Sequence, residues 1–168
     1  YFADYLNKAK GMDIKTISYM LFLFGIMGLL SNWISSKMLS KNIASTTALF
    51  LSGTIIIPFA LYLSGTNTWT TIFVVALWGF LYAPCFLNAS AYMISAAPHA
   101  LEFANSLATS FGNLGVSVGT IVGGWVIAIS GVAQTPWLGL CFGILSLSMI
   151  GIRTVIEKKS MQKNRAVI

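Results

Sequence analysis

Charge is what this sequence has least of. Of its 168 residues, 8% are charged, against about one-quarter in a soluble globular domain. A water-soluble fold needs a charged exterior, and so few charges cannot build one. With 57% hydrophobic residues and a mean hydropathy of +0.81, the solvent that suits this surface is a lipid bilayer.

Other shortages exclude whole classes of function. The two cysteines, Cys85 and Cys141, stand far apart in apolar context without a CxxC, so they read as reduced, buried, small hydrophobes and not as a disulfide framework. The single histidine, His99, has no cluster of Cys, Asp or Glu around it, so no metal site is expected. His99 and Glu102 follow Pro98 at a helix start, where an acid is electrostatically favoured. There is no nucleophile–base pair, no phosphate loop and no HExxH, so neither an enzyme nor a cofactor is expected. Asn88-Ala89-Ser90 matches a glycosylation sequon inside an apolar span, which makes it a chance match. No signal peptide is visible. The chain opens on Tyr-Phe-Ala-Asp without an initiator Met, and is expected to be a piece of something longer.

The net charge of +6 invites a nucleic-acid reading, but the placement of the charges argues against it. Arg153, Lys158, Lys159, Lys163 and Arg165 crowd the C-terminal end; Lys8, Lys10 and Lys15 lie near the start; Lys37 and Lys41 bracket one turn. No basic face interleaved with aromatics exists, so no nucleic-acid partner is expected. The tail, 157–168, reads as a cytoplasmic flank meeting anionic headgroups.

A spanning helix takes about 20 mostly apolar residues. Uncharged stretches run from Thr16 to Ser36, from Asn42 to Leu101 (His99 aside) and from Phe103 to Ile152. The second breaks at Gly65-Thr66-Asn67-Thr68 and the third at Ser130-Gly131 through Pro136, each followed by an interfacial tryptophan, Trp69 or Trp137. Five helices are expected, near 16–38, 42–64, 69–96, 101–130 and 136–156, with residues 1–6 ending a sixth. With Lys37, Lys41 and the tail on the inside, five spans leave the N-terminal end outside. Lys8, Lys10 and Lys15 pull weakly against that orientation.

Three helix faces carry information. In the fourth span Gly112, Gly115, Gly119 and Gly123 form one stripe, with Ser106, Thr109, Asn113, Ser117 and Thr120 beside it. Phe103, Leu107, Phe111, Leu114, Val118, Ile121 and Trp125 fill the opposite side. The glycines allow a close backbone approach, and the polar stripe must face protein or water. The same pattern describes plain helix–helix packing. The first span repeats it more weakly with Ser18, Gly25, Gly28, Asn32, Ser35 and Ser36. The third span gathers Trp78, Tyr82, Cys85, Asn88 and Tyr92 in one broad sector, with Pro84 interrupting its backbone bonding. Aromatic rings with hydroxyl and amide tips suit an amphipathic organic substrate, and equally an aromatic packing stripe. Pro58 in the second span sits among Ile55, Ile56, Ile57 and Phe59, expected to face lipid. No span holds a mid-membrane Asp, Glu, Lys or Arg, so any proton-coupling residue lies outside this sequence.

Ala104-Asn105-Ser106, then Gly112-Asn113-Leu114-Gly115, Gly119, Gly123-Gly124, Gly131 and Pro136-Trp137 resemble the eleventh helix and following loop of the major facilitator superfamily. The branch resembled is that of bacterial multidrug, arabinose-type and purine-type exporters. Gly25, Gly28, Ser31-Asn32, Lys37 and Lys41 resemble its basic loop between the eighth and ninth helices, although Ser40-Lys41 stands where Asp-Arg is usual. The resemblance covers the whole chain. It implies an all-α polytopic bundle forming the C-terminal half of the transporter, helices eight to twelve plus the end of the seventh, with a cytoplasmic C-terminus in the plasma membrane. It implies a secondary transporter exporting a small organic compound (a drug, sugar or nucleoside-like molecule) by alternating access, proton-coupled, with the missing N-terminal half as partner. On the same ground Trp78, Tyr82, Asn88 and Tyr92 are candidate substrate-path residues. Gly25, Gly28, Asn32, Asn105, Thr109, Gly112, Asn113, Gly115, Gly119 and Gly123 are candidate interface residues. An importer of the same fold, a non-transporting subunit and a membrane enzyme are the rivals; the last lacks the clustered acids or histidines it needs.

Overall fold

The computed structural model describes residues 1–165, with side chains as far as Ile156. The chain folds into α1 (Phe2–Lys8), α2 (Ile14–Leu39), α3 (Ile43–Leu63), α4 (Thr68–Ile94), α5 (Leu101–Ser130), a 3-10 turn (Val132–Gln134) and α6 (Thr135–Arg165). No strand occurs among the described residues. Five segments, α2 to α5 and Val132–Ile156, are long and apolar enough to cross a membrane. Even the shortest helix of the five, α3 with 21 residues, extends about 32 Å and matches a hydrocarbon core of about 30 Å. The basic tail expected over 157–168 lies outside the residues whose side chains are described.

The ends of these helices are written in the sequence. Asp13, Asn42 and Asn67 stand just before α2, α3 and α4, and each accepts hydrogen bonds from backbone N–H groups of the first turn. Those N–H groups have no partner inside the helix, which is why a short side-chain acceptor starts one. Gly131 ends α5 with φ +85°, a conformation that side chains resist.

Packing centres on α4, which contacts α2, α3 and α5, while α3 is held between α4 and α6. Along α2 and α4 the contacts Phe24–Gly79, Gly28–Ala83 and Ser35–Asn88 follow in order, so the two helices run in the same direction. A Cβ on Gly79 would lie 2.5 Å from the carbonyl oxygen of Phe24, and one on Gly28 would lie 2.8 Å from the Cβ of Ala83. Small residues thus bring two backbones together where lipid supplies no hydrophobic drive. Leu6, Ile57, Leu61 and Val75 are fully or almost fully buried, whereas the α5 residues Phe103, Phe111, Leu114, Ile121 and Trp125 are exposed.

One expectation is corrected here. Ile57 is buried and Pro58 joins it, while the side chain of Ile55 lies over Gly143 of α6. Only Ile56 and Phe59 of that group are exposed. The helix has protein on two sides, and an all-apolar sequence carries no polar mark to say which.

The connections sort into two ends. The turns at 9–13 and 64–67 meet through Lys10, and the 3-10 turn lies beside them. At the other end are the turn at 40–42, the loop at 95–100 and the later part of α6, where Arg153 reaches Tyr92.

Candidate functional site

A half-open pocket of about 430 Å³ is bounded by α1, α3, α4, α5 and α6. Trp78, Tyr82 and Cys85 line it from α4, Tyr1, Phe2 and Tyr5 from α1, and Gly119 and Gly123 from α5. No charged side chain lines it. Three of its hydroxyls are turned back onto the chain: Thr54, Thr135 and Ser146 donate to the carbonyls of Leu51, Val132 and Phe142. What remains facing the space is aromatic surface, hydroxyl lone pairs and the hydroxyl of Tyr82, a lining for an uncharged molecule with an apolar face and polar edges.

The aromatic side is held rigidly. Phe2, Phe24 and Trp78 stack in a triangle with centroid separations of 5.3, 4.8 and 5.9 Å. Trp78 is therefore fixed by α1 and α2 together, and edge-on contacts of this kind add to simple burial. Tyr82 stands 6.2 Å from Phe24 and remains 57% exposed. Tyr1 lays its ring over Gly123 and Gly124 and donates a 2.8 Å hydrogen bond to the Thr120 carbonyl.

The four aromatic and amide residues of α4 divide. Trp78 and Tyr82 face the cavity. Asn88 is fully buried at the α2–α4 seam, where its Oδ1 accepts a 2.7 Å bond from Ser35. Tyr92 lies one turn further on, under the guanidinium of Arg153, which stands 4.1 Å from its ring and donates to its carbonyl. In the same stretch, Asn88 Nδ2, Asn32 Oδ1 and the Tyr92 hydroxyl are buried with no partner among the described residues.

The interface candidates divide too. Gly28 meets Ala83, Gly112 meets the ring of Phe86, and Gly123 meets Tyr1. Gly25, Gly115 and Gly119 have nothing within 4 Å, and Asn105, Thr109 and Asn113 are exposed. Gly112 and Gly123 thus make room for an aromatic ring rather than for a second backbone, while the polar stripe and the middle of the glycine stripe lie open. Asn32 is half-buried beside the seam.

Lys10 is the residue that sequence reasoning missed. Its ammonium donates to the Leu61 carbonyl at 2.6 Å, the Ser64 Oγ at 2.9 Å and the Gly65 carbonyl at 2.6 Å. These oxygens belong to the C-terminal end of α3, where carbonyls lack helical partners and the helix dipole is negative. Burial pulls the amine below its ordinary value, while three oxygens favour the charged form. Its place in a short turn before Gly11 was visible; the helix end it would reach was not.

Residues 1–166 match the family model for the Major Facilitator Superfamily. Among curated proteins, the chain is similar to a "Probable sugar efflux transporter" of Helicobacter pylori (strain ATCC 700392 / 26695), 24% identical over 148 residues, covering 88% of this chain and 37% of that protein. It is similar to the "Uncharacterized MFS-type transporter YtbD" of Bacillus subtilis (strain 168), 23% identical over 170 residues, covering 97% of this chain and 42% of that one. A "Probable sugar efflux transporter" of Pasteurella multocida (strain Pm70) is 22% identical over 148 residues, covering 88% and 36%. The chain thus spans well under half the length of these relatives. No solved structure gives a significant match.

Proposed function

The chain belongs to the Major Facilitator Superfamily, and from that premise we propose that it is the C-terminal half of a secondary transporter that exports a small, uncharged organic compound by alternating access. The observation that carries this reading is the charge-free aromatic cavity of Trp78 and Tyr82 within a bundle of membrane-length helices. Such a site binds a molecule with an apolar face and hydroxyl edges, and a sugar has both. The similarity to probable sugar efflux transporters of Helicobacter and Pasteurella supports the same substrate class.

The second half of the site is supplied by the N-terminal half of a longer chain. The open polar stripe of Asn105, Thr109 and Asn113 on α5, with Gly115 and Gly119, is the surface we assign to that partner, because a polar face left against lipid is costly. In alternating access the two halves rock about a site between them. Proton coupling then depends on an acid contributed by the other half, since Asp4, Asp13, Glu102 and Glu157, the acids of this sequence, all lie outside the mid-membrane stretches. With Lys37, Lys41 and the tail at the plasma membrane's inner face, the C-terminus is cytoplasmic.

The test is sugar transport by the full-length protein in membrane vesicles of known sidedness. Uptake into inside-out vesicles driven by a proton gradient, and weakened in Tyr82→Ala, supports export. Uptake only into right-side-out vesicles replaces the exporter by an importer of the same fold. No movement of any of a panel of sugars, nucleosides and uncharged drugs in either orientation overturns the transport reading.

A further inference from the structure

Two cavities stand in series at the α1 end of the bundle. The inner one is the 430 Å³ space lined by Trp78 and Tyr82. The outer one, about 260 Å³, contains Lys10 and is lined also by Tyr62, Thr66 and Trp137. Four residues belong to both: Tyr5 from α1, Pro58 and Leu61 from α3, and Pro136 at the start of α6. They form the wall between the two spaces. Tyr5 is 6% exposed and Leu61 wholly buried, so the wall is closed here.

Lys10 ties the two sides of the wall together. The turn at 9–13 carries α1, and with it Tyr5, on a loop that includes Gly11 at φ +68°. From this turn the Lys10 ammonium grips the backbone of Leu61, itself a wall residue, together with Ser64 and Gly65. All three N–H donors of the ammonium are engaged. No carboxylate faces it among the described residues, where the one ion pair is Lys8 with Asp4. Among the described residues the charge is held by the negative end of α3.

We propose that Lys10 is a positioning residue that latches the wall between the two cavities, and that releasing it opens the inner cavity toward the face carrying the turns at 9–13 and 64–67. This rests on the reading of the inner cavity as the substrate path only for its consequence; the latch itself is a matter of access. Closed, it keeps Tyr1, Phe2 and Tyr5 against the cavity. Open, it joins the two spaces into one route.

Cys85 lines the inner cavity and serves as the reporter. The full-length protein is prepared with Cys85 as its only thiol, Cys141 and any cysteine of the N-terminal half being changed to Ser, in right-side-out and inside-out vesicles. Reaction with a membrane-impermeant trimethylammonium methanethiosulfonate is then timed from each side. Lys10→Met, which keeps length and loses charge and donors, is expected to raise the rate about tenfold from the Lys10 side only, the scale of losing charge-assisted bonds. Lys10→Arg is expected to stay near the parent rate, and Ser64→Ala, which removes one of three acceptors, to fall between. An unchanged rate in Lys10→Met, or an equal rise from both sides, overturns the latch, because a merely structural role loosens the bundle without preference for a side. If Lys10→Met fails to reach the membrane, Ser64→Ala decides: a one-sided rise supports the latch and the parent rate overturns it. No substrate enters the experiment, so its failure leaves the transport reading to its own assay.

Discussion

Ser35 on α2 donates a 2.7 Å hydrogen bond to the Oδ1 of Asn88 on α4, and both side chains are fully buried. It is a polar pin through a seam where glycine and alanine bring the two backbones close. The other atom of the amide, Nδ2, has no partner among the described residues, and Asn32 Oδ1, an acceptor one turn from Ser35, has none either. In hydrocarbon an interhelical bond of this kind contributes about 0.6 to 2 kcal/mol. A double-mutant cycle of Ser35→Ala and Asn88→Ala, read by unfolding in mixed detergent, is expected to give a coupling of about 1 kcal/mol. A coupling near zero would mean that the pin is not made in the folded protein.

The glycines separate by what a methyl group would strike. At Gly79 it falls 2.5 Å from the Phe24 carbonyl oxygen, which is backbone and cannot swing aside. Gly79→Ala is expected to lower stability by about 2 kcal/mol, the scale of overpacking. At Gly115 nothing lies within 4 Å, so Gly115→Ala is expected to change stability by less than about 0.5 kcal/mol. If α5 packs against the N-terminal half, Gly115→Ala lowers transport all the same. Melting temperature and vesicle uptake, measured on one preparation, separate these effects.

The five spans were legible because length and hydropathy decide them. The expected limits at 101–130 coincide with α5, and 42–64 and 69–96 differ from α3 and α4 by two residues or fewer at each end. Residues 1–6 read as a helix end, and 2–6 lie in α1. Contacts between helices were much less legible. The sector holding Trp78, Tyr82, Asn88 and Tyr92 is one face on a helical wheel, but three neighbours divide it among a cavity, a seam and an arginine. Ile57 carried no mark of burial because lipid and protein interior are equally apolar. Lys10 was counted as a loop charge, and its partner carbonyls on α3 have no sequence signature at all.

Asp13 gives a pH dependence of known sign. Its carboxylate accepts from the Thr16 hydroxyl and from the Lys15 and Thr16 N–H groups, and the Thr16 hydroxyl leads the causes that hold its pKa below the ordinary 3.8. A group depressed on folding contributes stability above its unfolded value and loses it as pH falls through the folded one. Thermal unfolding should therefore show the parent losing stability below about pH 4 more steeply than Asp13→Asn, whose amide oxygen can still cap α2 without titrating. Parallel curves for the two proteins would remove the cap from the account of acid sensitivity.

Tyr82 is the sharpest test of the cavity as a binding site, because it can be altered without disturbing the bundle. Trp78 is wedged between Phe2 and Phe24, so truncating it costs about 3 kcal/mol of packing along with any contact to substrate. Asn88 holds the seam, so its loss confounds folding with transport. Tyr82 is 57% exposed, and its hydroxyl bonds no described residue. Tyr82→Phe removes only that hydroxyl, and if it bonds a substrate hydroxyl the KM for vesicle uptake rises about tenfold at unchanged melting temperature. Tyr82→Ala removes the ring as well and raises KM further, while Tyr82→Trp keeps an aromatic face and recovers part of the loss. An unchanged KM across all three substitutions would place the substrate elsewhere, and the aromatic lining of α4 would then be packing for the helices around it.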